Sequence, residues 1–240
     1  MSKKYIIANW KILPASWGEA QQILDSTSEY FTAEGLKEFS VVVCPPFVFI
    51  EEVGKLLSAT SLGNYIELGA QDVVDTLPQL ARYVIVGHSD RRWKLGETDA
   101  VVNQKLKAAL QKELTPIVCI GEKSREGDYK KFLEDQVEAT FSGLSGDEVE
   151  KCLIAYEPVW AISTTPGAKP DTPESALESI NIIKNTLALN FSLSTFRFLY
   201  GGSITSKNAK EFLSLPEFSG VLVGGASVDR EEFVKILKLV

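Results

Sequence analysis

The feature that most constrains this chain is a rhythm. Short apolar runs rich in Val, Ile, Leu and Phe recur along its whole length, several of them continuous rather than alternating. A continuous run suits a strand covered on both faces, because neither side chain set then meets water. Eight are read, at Tyr5–Ala8, Ser40–Cys44, Ile66–Ala70, Tyr83–Val86, Pro116–Ile120, Cys152–Tyr156, Phe196–Leu199 and Gly220–Val223. Between them lie segments with helical apolar spacing, such as Val101, Leu106 and Leu110, or Phe132, Val137 and Phe141, with Lys and Glu on the other positions. Pro46 heads one expected helix and Pro173 with Glu174 another, while Ser206 and Asp229 read as N-caps.

Eight strand–helix units in 240 residues suit a repeated βα crossover, and no Gly/Ser-rich linker divides the chain. Alternating units can build an open doubly wound sheet or a closed barrel. A count of eight without a glycine-rich first turn favours the barrel, so the expectation is an α/β fold, a closed eight-stranded parallel (β/α)8 barrel in one domain spanning 1–240. One unit is out of proportion: only Gln71 to Arg82 separate the third strand from the fourth, close to the minimum for any crossover.

Composition narrows the partners. With 25 Lys and Arg against 32 Asp and Glu, the net charge of −7 repels nucleic acid and anionic membrane, so any anionic ligand must be held by a local site. The three cysteines, Cys44, Cys119 and Cys152, lack CxxC spacing and sit in or beside apolar runs, which reads as reduced and buried. One histidine and three dispersed cysteines offer no metal ligand cluster. The first residues are too short of apolar side chains for a secretory segment, and Pro45-Pro46 break the longest apolar stretch, so the expected location is cytoplasmic.

In a parallel barrel the reacting groups gather where strands end. Here the strands run out into Asn9-Trp10-Lys11, Gly87-His88-Ser89, Tyr156-Glu157-Pro158, Tyr200-Gly201-Gly202-Ser203 and Gly224-Gly225-Ala226-Ser227. Together NWK, VGHSDRR with GETD following, VCIGE, AYEPVWAI, YGGSI and VLVGGAS resemble the signature of the triosephosphate isomerase family, in the same order and over the whole chain. The resemblance implies a TIM barrel and a cofactor-independent interconversion of dihydroxyacetone phosphate and D-glyceraldehyde 3-phosphate.

That chemistry takes a proton from carbon beside a carbonyl and returns it to the neighbouring carbon through an enediolate. It needs a base on one side and an electrophile on the other. Glu157, at the root of a loop before Pro158, is the candidate base. His88 is the candidate electrophile, and a helix starting at Ser89-Asp90 would keep it neutral. Lys11 supplies fixed positive charge and Asn9 a further hydrogen bond to the developing oxyanion. Phosphate is expected at glycine-flanked backbone amides, Gly202-Ser203 and Gly224-Gly225, with the Ser163 amide and Lys11. Glu97, Cys119, Trp160 and Tyr200 match supporting residues of the family, Tyr200 and Ser203 as the groups that hold a closed lid.

Two departures stand out. The lid expected at Trp160 to Pro173 reads Ala161-Ile162-Ser163-Thr164-Thr165-Pro166-Gly167 where the family has AIGTGK, and Pro166 and Pro170 should stiffen it. The short third loop lacks the arm that in the family reaches into a neighbouring subunit, so a monomer or a weaker, remodelled homodimer is expected, with Ile12-Leu13 as an apolar patch. The competing readings are a non-catalytic barrel that binds sugar phosphate or a protein partner, and an enzyme whose shorter rim admits larger phosphates.

Overall fold

A computed structural model describes residues 4–34, 39–73, 81–193 and 195–240. The elements run in order through β1 (Lys4–Asn9), α1 (Trp17–Glu34), β2 (Phe39–Cys44), α2 (Ile50–Ala59), β3 (Ile66–Ala70), β4 (Ala81–Val86), α3 (Ser89–Lys94) and α4 (Asp99–Gln111). They continue through β5 (Thr115–Ile120), α5 (Tyr129–Phe141), α6 (Gly146–Glu150), β6 (Leu153–Tyr156), α7 (Pro173–Asn190), β7 (Arg197–Tyr200), α8 (Ala209–Leu213), β8 (Phe218–Val223) and α9 (Arg230–Leu237). The strands follow one another in a closed barrel, β1 to β8, so the expected fold class is what the chain forms.

Contacts group the chain into two compact units, Met1–Val84 with Ile204–Val240, and Ile85–Ser203. In the first, β1 pairs in parallel with β2 from Lys4↔Phe39 to Asn9↔Cys44, and with β8 from Tyr5↔Gly220 to Ala8↔Val223. Ile6, Ile7, Val41, Val42 and Val221 are wholly withdrawn from solvent, as their continuous runs require. Each such aliphatic side chain stabilises the fold by about 1.5–3 kcal/mol. The Lys4 ammonium donates to the carbonyls of Leu215 and Phe218, tying the start of β1 to the approach to β8. In the second unit β5, β6 and β7 pair in parallel around Val118, Ile120 and Ala155, and α5 packs between α4 and α7.

The strand expectations hold in place and shift at their edges. The third run is met residue for residue, whereas Cys152 and Phe196 fall just outside β6 and β7. The helical phase needs correction: Val101 and Phe132 are exposed and Leu110 is half-buried, and the buried stripes are Val102, Leu106 and Ala109 on α4 and Leu133, Val137 and Phe141 on α5. A lone apolar residue one step off the stripe mimics it. Asp229 caps α9 by accepting from the Glu231 and Glu232 amides, and Pro173 stands at the first turn of α7 behind the Thr172 cap. Ser206 is not a cap. It lies in a turn before α8 that Asn208 closes by accepting from the Thr205 amide, while the Ser206 amide donates to Glu232. Pro46 leads into a 3-10 turn, Phe47–Phe49, ahead of α2. The expectation of a minimal third loop falls on residues 74–80, outside the described residues. Among the described residues no helix is long and apolar enough to cross a membrane.

Candidate active site

The Ile85–Ser203 unit brings His88 and Glu157 together. Gly87, at φ 71°, turns the chain out of β4, and His88 then serves as the N-cap of α3. The Asp90 amide donates to His88 Nδ1 at 3.1 Å. An N–H aimed at a ring nitrogen requires a lone pair there, so the geometry suits a neutral imidazole with its proton on Nε2. Nε2 lies 3.1 Å from Glu157 Oε1, and Oε2 of the same carboxylate accepts from the Ser89 amide at 3.0 Å, in the first turn of α3 where negative charge is favoured. Both side chains are buried.

Two glycines, in the VCIGE and YGGSI motifs, make room for Glu157. A Cβ on Gly121 would stand 1.9 Å from the Glu157 carbonyl oxygen, and one on Gly201 would stand 2.8 Å from Glu157 Cγ. The backbone is then pinned on both sides, the Glu157 amide donating to the Ile120 carbonyl and the Gly201 amide to that of Tyr156.

Beyond Glu157 the chain makes a 3-10 turn, Val159–Ala161, and runs irregularly to α7. The Ser163 amide donates to Ser203 Oγ at 2.7 Å, so two residues expected at phosphate meet each other directly. Trp160 Nε1 and the Tyr156 hydroxyl both donate to Glu122 Oε1 at 2.8 Å, with Arg125 Nε 3.0 Å away. Burial pushes the Glu122 carboxyl above its ordinary value, opposed by those donors. Farther along, Asp171 accepts from the Thr172 amide, and burial raises its carboxyl too, against the Ser175 and Tyr200 hydroxyls and the Arg125 guanidinium. Tyr200 lies over Gly202, where any Cβ would stand 2.2 Å from its hydroxyl.

The other unit gathers Asn9, Lys11, Gly224 and Gly225. Lys11 has φ 53°, a left-handed backbone that costs a non-glycine residue about 1–3 kcal/mol. Its amide donates to Asn9 Oδ1 at 3.0 Å, which leaves the Asn9 side-chain nitrogen as the donor. Gly224 lies against the Lys11 stem, where a Cβ would stand 3.5 Å from Lys11 Cε, and around Gly225 the space is open. The Ser227 amide and hydroxyl both return to the Gly224 carbonyl, setting the turn after β8.

Of the supporting residues, Trp160 and Tyr200 sit in the segment that follows Glu157 and at the end of β7. The side chain of Glu97 is largely covered between Arg91 and Lys105, accepting from each. Burial works against its charge, but the bonds from Lys105 and Arg91 outweigh it and hold the carboxyl below its ordinary value. Cys119 is buried, and its carbonyl accepts from Arg92. Sequence reasoning missed Glu122, Arg125, Asp171 and Gln71. Glu122 ends the VCIGE motif directly after β5, a signal left unused. Arg125 and Asp171 have no local pattern, because their partners are brought by other segments.

A family model described as "Triosephosphate isomerase" matches residues 4–78 and 79–240. Among curated relatives, proteins named "Triosephosphate isomerase" from Dictyoglomus turgidum and Dehalococcoides mccartyi are 36% and 38% identical over 255 residues, covering 99% of this chain and 100% and 96% of theirs. One of the same name from Aquifex aeolicus is 37% identical over 98% of both chains.

Proposed function

The chain belongs to the triosephosphate isomerase family, and from that premise we propose that it interconverts dihydroxyacetone phosphate and D-glyceraldehyde 3-phosphate without a cofactor. The observation that carries the residue roles is a buried carboxylate 3.1 Å from Nε2 of an imidazole whose other nitrogen already accepts a backbone N–H. Glu157 takes the proton from carbon beside the carbonyl and returns it to the neighbouring carbon. His88 donates Nε2–H to the carbonyl oxygen, and a neutral donor is not trapped as imidazolium when the enediolate forms. Because that N–H now faces Glu157, an arriving carbonyl oxygen displaces the carboxylate from it and frees the base in the same movement.

Lys11 supplies the fixed cation for an increasingly anionic transition state, and the Asn9 side-chain amide donates to the oxyanion. The phosphate is held by the amides of Ser163, Gly224 and Gly225 with Ser203 and Lys11. The bond between Ser163 and Ser203 supports a lid over Trp160 to Pro173, which keeps water from an intermediate prone to lose phosphate. We read residues 1–240 as one functional domain working in the cytoplasm, as a monomer or a weak homodimer. The exposure of Ile12 (90%), Leu13 (47%), Phe47 (63%) and Val48 (70%) supports some apolar surface left for self-association.

A coupled assay starting from D-glyceraldehyde 3-phosphate tests the reading. Steady turnover is expected. Binding of phosphate without turnover would instead favour the non-catalytic barrel.

A further inference from the structure

The segment that follows Glu157 is folded on itself around Thr165. The Thr165 amide donates to the Ile162 carbonyl at 2.8 Å and its carbonyl accepts from the Ala168 amide at 3.0 Å, so two tight turns meet at this residue. Thr165-Pro166-Gly167-Ala168 has proline in the second place and glycine at φ 74° in the third, the signature of a type II turn. The Lys169 amide then donates to the Trp160 carbonyl at 3.2 Å, which brings the two ends of the segment together. Across this ring the Thr165 hydroxyl reaches back six residues and donates to the Val159 carbonyl at 2.7 Å. Val159 is buried two residues beyond Glu157, and its amide donates to the Glu122 carbonyl at 3.0 Å. Ser163, whose amide meets Ser203 Oγ, lies inside the short loop that the threonine side chain closes.

We infer that Thr165 is a positioning residue for the isomerase reaction, its hydroxyl fastening the lid to Val159 so that the Ser163 amide is shaped for phosphate before substrate arrives. The inference rests on the proposed lid and its grip on phosphate. A loop that must order itself at each closure gives up binding energy to the entropy of every residue it fixes, whereas a loop already tied keeps that energy for the ligand. The hydroxyl stands in the stretch that departs from the family's AIGTGK, and it anchors that stretch to a buried carbonyl close to the base. Its loss leaves no buried acceptor bare, because the Val159 carbonyl also accepts from the Ile162 amide at 3.3 Å. The turns therefore survive without it, and what disappears is the link across the ring. Valine matches the shape of threonine with no donor, and serine keeps the donor without the methyl.

The test compares Thr165→Val and Thr165→Ser with wild type on D-glyceraldehyde 3-phosphate and on D-glyceraldehyde, which lacks the phosphate that the Ser163 amide would grip. The inhibition constant of inorganic phosphate reports the shaped lid, and melting temperature reports general damage. Thr165→Val should lower kcat/KM on the phosphorylated substrate about tenfold, the upper end of what one intramolecular hydrogen bond contributes, and weaken phosphate inhibition by a similar factor. Turnover of D-glyceraldehyde should stay within about twofold and the melting temperature should hold. Thr165→Ser should restore both phosphate-dependent values to within about threefold of wild type. A Thr165→Val enzyme that keeps wild-type kcat/KM on the phosphorylated substrate would overturn the inference, as would an equal loss on both substrates or a serine variant as impaired as the valine one. Wild type separates the two readings: if it does not turn over D-glyceraldehyde 3-phosphate, the proposed function fails and the role of Thr165 with it. If wild type is active and Thr165→Val is its equal, only the positioning role of Thr165 fails.

Discussion

Lys11, His88 and Glu157 each stand one or two residues past a strand; His88 and Glu157 each accept a backbone N–H, whereas the main chain of Lys11 is held by the Asn9 and Gln71 side chains. That gives their substitutions distinct signatures. Glu157→Gln keeps an acceptor for the Ser89 amide, so the fold should survive while the base is lost. We expect kcat to fall about a thousandfold with KM little changed, because general-base catalysis contributes about 10²–10⁴ and acts only in the transition state. Steady-state kinetics at saturating substrate check it, and kcat within tenfold of wild type would remove Glu157 from the chemistry. These residues were legible in the sequence because strand ends mark where a parallel barrel presents its polar groups, and the motifs fall there. Gln71 was not. It too follows a strand, but its meaning lies in two carbonyls supplied by β1 and β2, which no spacing along the chain encodes.

At the scale of elements, the fold yields to sequence wherever burial is two-sided and resists where it is partial. The central strands were placed almost to the residue, whereas the stripes of α4 and α5 were begun one position early because Val101 and Phe132 are apolar yet exposed. The turn after β5 makes a sharper claim. Gly121 leaves no volume at Cβ, so Gly121→Ala must push back the Glu157 backbone. Overpacking of this kind costs about 1–3 kcal/mol, and we expect denaturant unfolding to show a loss near the top of that range together with reduced turnover. The segment between α3 and α4 carries a pH signature. A depressed carboxyl stabilises the fold fully above its ordinary value of 4.5 and loses that contribution as pH falls through the lower folded value. Glu97→Gln should therefore destabilise the protein by about 2 kcal/mol at pH 7, as loss of charge-assisted hydrogen bonds does, and make its stability fall less steeply below pH 4.5. Urea titrations of both proteins from pH 7 to pH 3 measure the difference, and parallel curves would contradict it.

For the whole molecule, a net charge of −7 sets an anionic substrate against the overall field, and the proposed site answers it locally, with Lys11 and backbone amides that a charge sum cannot see. The proposed assembly state rests on how few residues the sequence places between the third and fourth strands. If it lacks a reaching arm, Ile12 and Leu13 are left to a weaker contact, and light scattering should give a mass near 26.4 kDa at nanomolar concentration, with activity per chain unchanged on dilution. A dimer that persists there would need roughly 1,200 Å² of buried surface and would show these residues covered. The closed order of strands was legible from eight repeats, but not the way contacts divide them. The unit that pairs β1 with β8 is discontinuous in sequence, whereas Ile85–Ser203 is one unbroken stretch. A ribosome adding about 5–20 residues per second takes on the order of ten to thirty seconds to pass from Val84 to Val223. Through that interval the nascent β1 has no β8 to pair with, and its open edge is a template for other chains. The last strand to be made is the one that seals the first.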